Sequence, residues 1–114
     1  STLQDEVLVI KLLPQFLNDY DIVHSLADQI HDVVQEHGLC HVAIDMCDVE
    51  FVSSLGLIVF VRIHDLDNQV AICNVRNDIL RVLEVSRLAD PKNPQGGPLQ
   101  VYKDVDAAVS ALRP

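Results

Sequence analysis

The chain has 114 residues, of which 49% are hydrophobic and 4% aromatic, so we expect one compact domain with an aliphatic core over residues 1–114. Its formal net charge of −9 disfavours nucleic acid and anionic membranes as partners, because both attract clustered Lys and Arg. No apolar run is long enough to span a bilayer, no signal peptide is recognisable, and the odd number of cysteines favours a reducing cytoplasmic compartment.

The N-terminal part of the chain predicts two strands followed by a helix. Residues 6–13 form an apolar run rich in β-branched side chains, which is typical of a largely buried strand. Residues 15–17 predict a short second strand, and residues 18–21 offer several side chains that cap helices. Apolar positions then recur in steps of three and four, which predicts a helix that ends at His37, with Gly38 as its C′ residue.

Further along the chain, strand and helix patterns alternate. The strands are predicted over residues 39–46, 68–75 and 99–102, and an amphipathic helix is predicted over residues 104–112. A helix is also predicted over residues 77–88, where the apolar positions are Ile79, Leu80, Leu83, Val85 and Leu88. Residues 91–98, rich in Pro and Gly, predict a loop.

The segment from residue 55 to residue 67 is ambiguous, because its β-branched composition favours a strand. A helix there restores a strand–helix–strand crossover and lets the neighbouring strands run parallel, so we predict a helix. Ser53 and Ser54 then lie at the N-terminus of that helix, where free N–H groups need acceptors, and Ser54 is expected to cap it.

The overall pattern predicts an α/β fold: a mixed sheet of four or five strands with helices mainly on one face. The expected core is aliphatic and includes Val9, Ile10, Ile30, Val34, Val42, Ile44, Val70, Ile72, Leu83 and Val109.

Motifs for metal, phosphate or serine-nucleophile chemistry are absent from the sequence. There is no HExxH, CxxC or Walker pattern, and residues 52–56 read VSSLG where a hydrolase elbow would read GxSxG. We therefore predict neither a catalytic residue, nor a metal site, nor a cofactor, and a structural capping role is the simplest explanation of the two serines.

The stretch HVAIDMCDVEFVSSLGLIVFVRI, residues 41–63, resembles the signature of the STAS domain in its bacterial anti-sigma factor antagonist form. The family pattern is a strand that ends in Asp, then Val-x-Phe, then a phosphorylatable serine followed by Gly-Leu at the start of a helix. The later strand and helix patterns extend the resemblance from about residue 7 to residue 112. The matching positions here are Asp45, Val49, Phe51, Ser54, Gly56 and Leu57.

The resemblance implies a non-enzymatic switch without a cofactor. Its partner would be an anti-sigma factor with serine kinase activity, which it captures when unphosphorylated and releases when phosphorylated. Ser54 is the implied phosphoacceptor. The family's preceding Asp is Ser53 here and its second hydroxyl residue is Leu55, so Ser53 is the alternative acceptor. Whether the domain forms a homo-oligomer is left open.

Two residue groups complete the expected switch. Leu55 and Leu57 are predicted to bind the partner, because residues 57–63 carry too many apolar side chains for one buried stripe. Asp45, Asp48 and Gly56 form the expected switch neighbourhood, in which the carboxylates add like-charge repulsion to a phosphate.

Two alternative functions remain open at this stage. One keeps the STAS fold but makes the domain a scaffold, or a subunit of a transport or sensory assembly, without a phosphoswitch. The other is a small Cys-dependent enzyme, which needs a thiolate of low pKa. Asp45 and Asp48 flank Cys47 and would raise its pKa, which disfavours the enzyme.

Overall fold

A computed structural model describes residues 2–4, 7–37, 41–64, 70–93 and 96–112. The strands are β1 (Thr2–Gln4), β2 (Val7–Lys11), β3 (Phe16–Leu17), β4 (His41–Asp45), β5 (Phe51–Val52), β6 (Val70–Cys73) and β7 (Gln100–Tyr102). The helices are α1 (Tyr20–His37), α2 (Leu57–His64), α3 (Asn77–Val85) and α4 (Val105–Leu112).

Five strands form the main sheet, in the order β1-β2-β4-β6-β7. The last four are parallel, and β1 pairs antiparallel with β2 at one edge, so the predicted mixed sheet is confirmed. The two short strands β3 and β5 pair with each other in a separate parallel sheet. This pairing joins the segment before α1 to the segment before α2.

Alternation along the strands divides the core between the two faces of the sheet. Leu8, Val42 and Ile72 point to the face covered by α1, α2 and α3. Ala43 and Ala71 point to the opposite face, where α4 packs with Ala108, Val109 and Leu112. Because helices cover both faces, β6 is buried along its whole length, as is typical of parallel strands. Three of the four described helices thus share one face, as predicted.

The predicted core is confirmed except at Val9, which is half-buried. Val9 lies on the α4 face, and β2 is next to the edge strand, where α4 covers the sheet less completely than over β4. Leu13 also departs from the prediction. The strand ends at Lys11, so Leu13 lies beyond it and is 73% exposed.

Several element boundaries differ from the predicted ones. The second helix begins at Leu57 rather than at residue 55, and the third ends at Val85 rather than at residue 88. The first helix ends at His37 as predicted, and Asp19 caps its start, accepting hydrogen bonds from the amides of Asp21 and Ile22. The predictions at residues 6, 38–40, 65–69, 94–95 and 113–114 lie outside the described residues.

Candidate functional site

The small β3–β5 sheet fixes the position of the two serines. Leu17 pairs with Val52, and the Ser53 amide continues the ladder by donating to the Leu17 carbonyl oxygen at 3.0 Å. The chain then turns through residues 54–56 into α2. The serines therefore lie directly between a strand that is anchored to the segment before α1 and the start of a helix.

Gly56 is buried at the closest approach between this turn and β3. A Cβ atom added at this position would overlap the carbonyl oxygen of Leu17. Only glycine therefore fits, and this steric requirement explains the Gly of the SSLGL stretch.

Ser53 is the serine that stabilises the turn. Its hydroxyl donates to the Leu17 carbonyl oxygen and accepts from the Gly56 amide, each at 3.3 Å. Its own carbonyl oxygen accepts from the amide of Leu57 at 3.2 Å. The expectation that Ser54 caps the helix is therefore wrong, because the capping hydroxyl belongs to the residue before it.

Ser54 is exposed and stands on the rim of an open groove between the start of α2 and one face of α3. The groove has a volume of about 640 Å³, and most of its surface is apolar. We call it the α2–α3 groove; it is lined by Ser54, Leu57, Asn77, Asp78, Arg81, Val82, Val85 and Ser86.

The two leucines of the predicted partner surface differ in their surroundings. Leu57 lines the α2–α3 groove but is half-buried and also packs against the main core. Leu55 is half-buried within the turn, where its carbonyl oxygen accepts from the Ile58 amide at 3.2 Å. A change at Leu57 would therefore disturb both the groove and the core.

The α3 wall of the groove was not expected from the sequence. Val85 is one of the apolar positions from which this helix is predicted, but it is 79% exposed and lines the groove. At 100° per residue Val85 points away from Ile79 and Leu83, which are both buried, so a helical wheel would have identified it. Val85 is an exposed apolar side chain in the same groove as Ser54.

The two carboxylates of the expected switch neighbourhood lie near the carboxyl ends of the strands, where each interacts with a neighbouring polar group. Asp45 Oδ1 accepts from the Cys47 amide and from Asn74 Nδ2, each at 3.0 Å. Asp48 pairs with Lys11 at 3.4 Å, and this hydrogen bond raises the pKa of the lysine. Neither carboxylate lines the α2–α3 groove, so each stands nearer to the strand ends than to that surface.

The thiols among the described residues are protonated at neutral pH. Cys47 is exposed, and its pKa is raised by partial desolvation and then by Asp45 and Asp48. Burial raises the pKa of Cys73 to about 12. Cys40 lies outside the described residues. Within the described ranges, no group of three or more His, Cys, Asp and Glu side chains is placed to hold a metal ion.

Comparison with known proteins supplies the family. None of the helices in the described part of the chain is long and apolar enough to cross a bilayer. No curated protein matches the chain in sequence. The profile of the STAS domain matches residues 5–108, which is nearly the whole chain, and this match agrees with the mixed sheet and the helices around it. The chain belongs to the STAS domain family.

Proposed function

We propose that this STAS domain is an anti-sigma factor antagonist whose capture of its partner is switched by phosphorylation of Ser54. The partner would be an anti-sigma factor with serine kinase activity, and the exchange would take place in the cytoplasm, where ATP supplies the phosphoryl group. One observation carries the proposal: Ser54 is the exposed hydroxyl on the rim of a largely apolar groove, whereas the hydroxyl of Ser53 is engaged in the turn.

The accessibility of Ser54 favours it as the acceptor over its neighbour. A kinase needs the hydroxyl to reach its active site, and Ser54 is exposed in the turn before α2. Phosphorylation of Ser53 would require the half-buried hydroxyl to leave both the Leu17 carbonyl oxygen and the Gly56 amide. That step would cost the two hydrogen bonds that hold the turn.

A phosphate at Ser54 is compatible with the fold and unfavourable for an apolar contact. It would add a charge of about −1.5 to −2 at the start of α2, where the positive end of the helix dipole favours an anion. A partner that packs against Leu57 and Val85 would have to desolvate that charge. The switch would therefore act on the interface and leave the domain folded.

The scaffold alternative is favoured by one observation. In the family pattern, the residue before the phosphorylatable serine is Asp. Here that residue is Ser53, and its hydroxyl forms hydrogen bonds that stabilise the turn. A STAS module that needs no phosphate would require only this structural role. The Cys-dependent enzyme has less support, because Cys47 and Cys73 both have raised pKa values, opposite to what a thiolate nucleophile needs.

Phosphorylation tests the proposal directly. Wild type, Ser53→Ala, Ser54→Ala and the double variant are each produced in the source organism and purified, and their phosphopeptides are analysed by mass spectrometry. Phosphate on wild type and Ser53→Ala, together with none on Ser54→Ala, is the expected result. Equal phosphorylation of Ser54→Ala would move the acceptor to Ser53, and no phosphate on any of the four would leave the scaffold function.

A charged residue beside the serine tests the partner surface. Leu55→Lys is expected to abolish capture of the anti-sigma factor in a pull-down, because the ammonium group cannot be buried in an apolar contact. Val61→Lys is the matched control, because it adds the same charge at an exposed apolar position of α2 that does not line the groove. The melting temperature of Leu55→Lys should stay near that of wild type, and a large fall would show that Leu55 belongs to the core.

A further inference from the structure

A second open groove runs between α1 and the carboxyl end of β2. Its volume is about 630 Å³, and it shares no lining residue with the α2–α3 groove. We call it the α1 groove; it is lined by Ile10, Lys11, Leu13, Pro14, Asp21, Ile22, Ser25, Leu26, Gln29, Ile30 and Val33.

The α1 groove exposes large apolar side chains on both of its walls. Leu13, on the strand side, is 73% exposed, and Ile22, on the helix side, is 43% exposed. Leu26 and Val33 lie half-buried between them and pack against the core. From Asp21 to Val33 the groove follows α1 for about 18 Å, or slightly more than three turns, at 1.5 Å per residue.

The wall formed by α1 is acidic. Asp21, Ser25, Gln29, Asp32 and Glu36 follow one another in steps of three and four, so they share one side of the helix. Three of these five carry carboxylates, and all five are exposed. Asp21 lines the groove, and Asp32 and Glu36 lie on the same side of α1 outside the lining residues. The exposed side of α1 therefore carries three negative charges along the edge of the groove.

The acidic residues of the chain are concentrated in the stretch of sequence that contains α1. Between Lys11 and Arg62 the sequence contains no Lys or Arg, but it contains eight Asp and Glu. Lys11, the one Lys or Arg among the described residues that line the groove, pairs with Asp48 at 3.4 Å. From residue 70 to residue 112, by contrast, five cations balance five acids. The α1 groove thus lies in the acidic half of a chain whose other half is neutral.

We propose that the α1 groove binds a basic amphipathic helix of a partner protein. Apolar side chains of that helix would insert between Leu13 and Ile22, and its Lys or Arg side chains would face the α1 wall. A second copy of this chain fits poorly, because a symmetric contact would bring the acidic wall against itself. Nucleic acid and anionic membranes are disfavoured by the same charge.

The test uses a synthetic 18-residue helical peptide of Leu and Lys, labelled with fluorescein and titrated with the whole protein by fluorescence anisotropy. Saturable binding is expected, and Ile22→Ser should weaken it by about tenfold or more, since the variant loses buried apolar area. The triple variant Asp21→Asn, Asp32→Asn, Glu36→Gln should also weaken binding, and the loss should shrink at high salt.

Matched controls make the result specific to this groove. Val85→Ser removes an exposed apolar residue from the α2–α3 groove, and Glu50→Gln with Asp78→Asn and Asp106→Asn removes three exposed acids outside the α1 groove; each should change the affinity less than twofold. Equal losses in groove and control variants would overturn the proposal, as would equal affinity for a Leu and Glu peptide. A dimer in sedimentation that Ile22→Ser dissociates would assign the groove to a second copy and likewise overturn it.

Discussion

The hydroxyl of Ser53 lies between the carbonyl oxygen of Leu17 and the amide of Gly56, and each of these atoms is 3.3 Å away. Replacing Ser53 by Ala removes both hydrogen bonds and leaves a partly buried amide without this acceptor. We expect Ser53→Ala to lower the free energy of unfolding by about 1 kcal/mol, measured by urea denaturation.

Ser54→Ala is the matched control for that measurement. The side chain is exposed, so the free energy of unfolding should change by less than about 0.5 kcal/mol. Equal losses for the two variants would mean that Ser54 also holds the turn. The comparison therefore separates the structural serine from the proposed phosphoacceptor without any knowledge of the partner.

The buried thiol of Cys73 makes the stability depend on pH. Its pKa is about 12 in the folded protein, against about 8.5 to 9 for an exposed thiol. Above pH 9 the unfolded chain loses this proton and the folded chain keeps it, so the stability that is fully present below pH 9 is lost as the pH rises toward 12. We expect a loss of about 1.5 kcal/mol between pH 8 and pH 10 from this group.

Urea denaturation of wild type and Cys73→Ala at both pH values measures that loss. The variant should be less stable at pH 8 by the cost of its cavity, but its stability should fall less on going to pH 10. Other groups, including Lys11, titrate in both proteins, so the difference between the two isolates the thiol. Parallel pH dependences would show that Cys73 ionises normally in the fold.

At the scale of the element, helix α3 ends in a motif without glycine. The amide of Arg87 donates to Glu84 and that of Leu88 donates to Leu83, and Arg87 has a φ of 62°. This is the Schellman arrangement, whose left-handed position usually belongs to glycine. Since an L side chain is disfavoured there, Arg87→Gly should raise the free energy of unfolding by about 0.5–1 kcal/mol.

Arg81→Gly is the control, because this exposed residue lies inside the same helix. Glycine should there lower the free energy of unfolding by about 1 kcal/mol. Thermal or urea unfolding of both variants measures the two effects. A loss of stability in Arg87→Gly would mean that the arginine side chain contributes more than its backbone strain costs.

The elements that sequence patterns predict are those whose signals are local. The steps of three and four in α1 and the apolar runs of β4 and β6 depend on residues close in the chain, and these elements are confirmed. The end of α3 cannot be predicted from the sequence pattern, because Arg87 occupies the left-handed position at which Gly or Asn would mark the end of a helix. The start of α2 depends on a contact with Leu17, which is distant in sequence and therefore leaves no local signal.

The candidate site shows the same division. The resemblance predicts the roles of Ser54 and Gly56 from a short motif. It does not show that Ser53 takes the capping role, since both serines suit a cap equally by type. Nor does it show the α3 wall, because only the tertiary packing brings Val85 and Arg81 into one groove with Ser54.

At the scale of the whole molecule, two distinct open grooves lie among the described residues. The α2–α3 groove carries the exposed serine, and the α1 groove lies in the acidic half of the chain. The small β3–β5 sheet connects the segments that precede α1 and α2, so it ties both regions to each other. A phosphate on Ser54 should change the first surface and leave the second unaltered.

The affinity of the anti-sigma factor for unphosphorylated and Ser54-phosphorylated protein, measured by isothermal titration calorimetry, tests the central claim most directly. We predict that phosphorylation weakens binding by at least about tenfold, which corresponds to about 1.4 kcal/mol, while the melting temperature of the domain changes little. Equal affinities for the two forms would contradict the switch, even if Ser54 proved to be the phosphorylated residue.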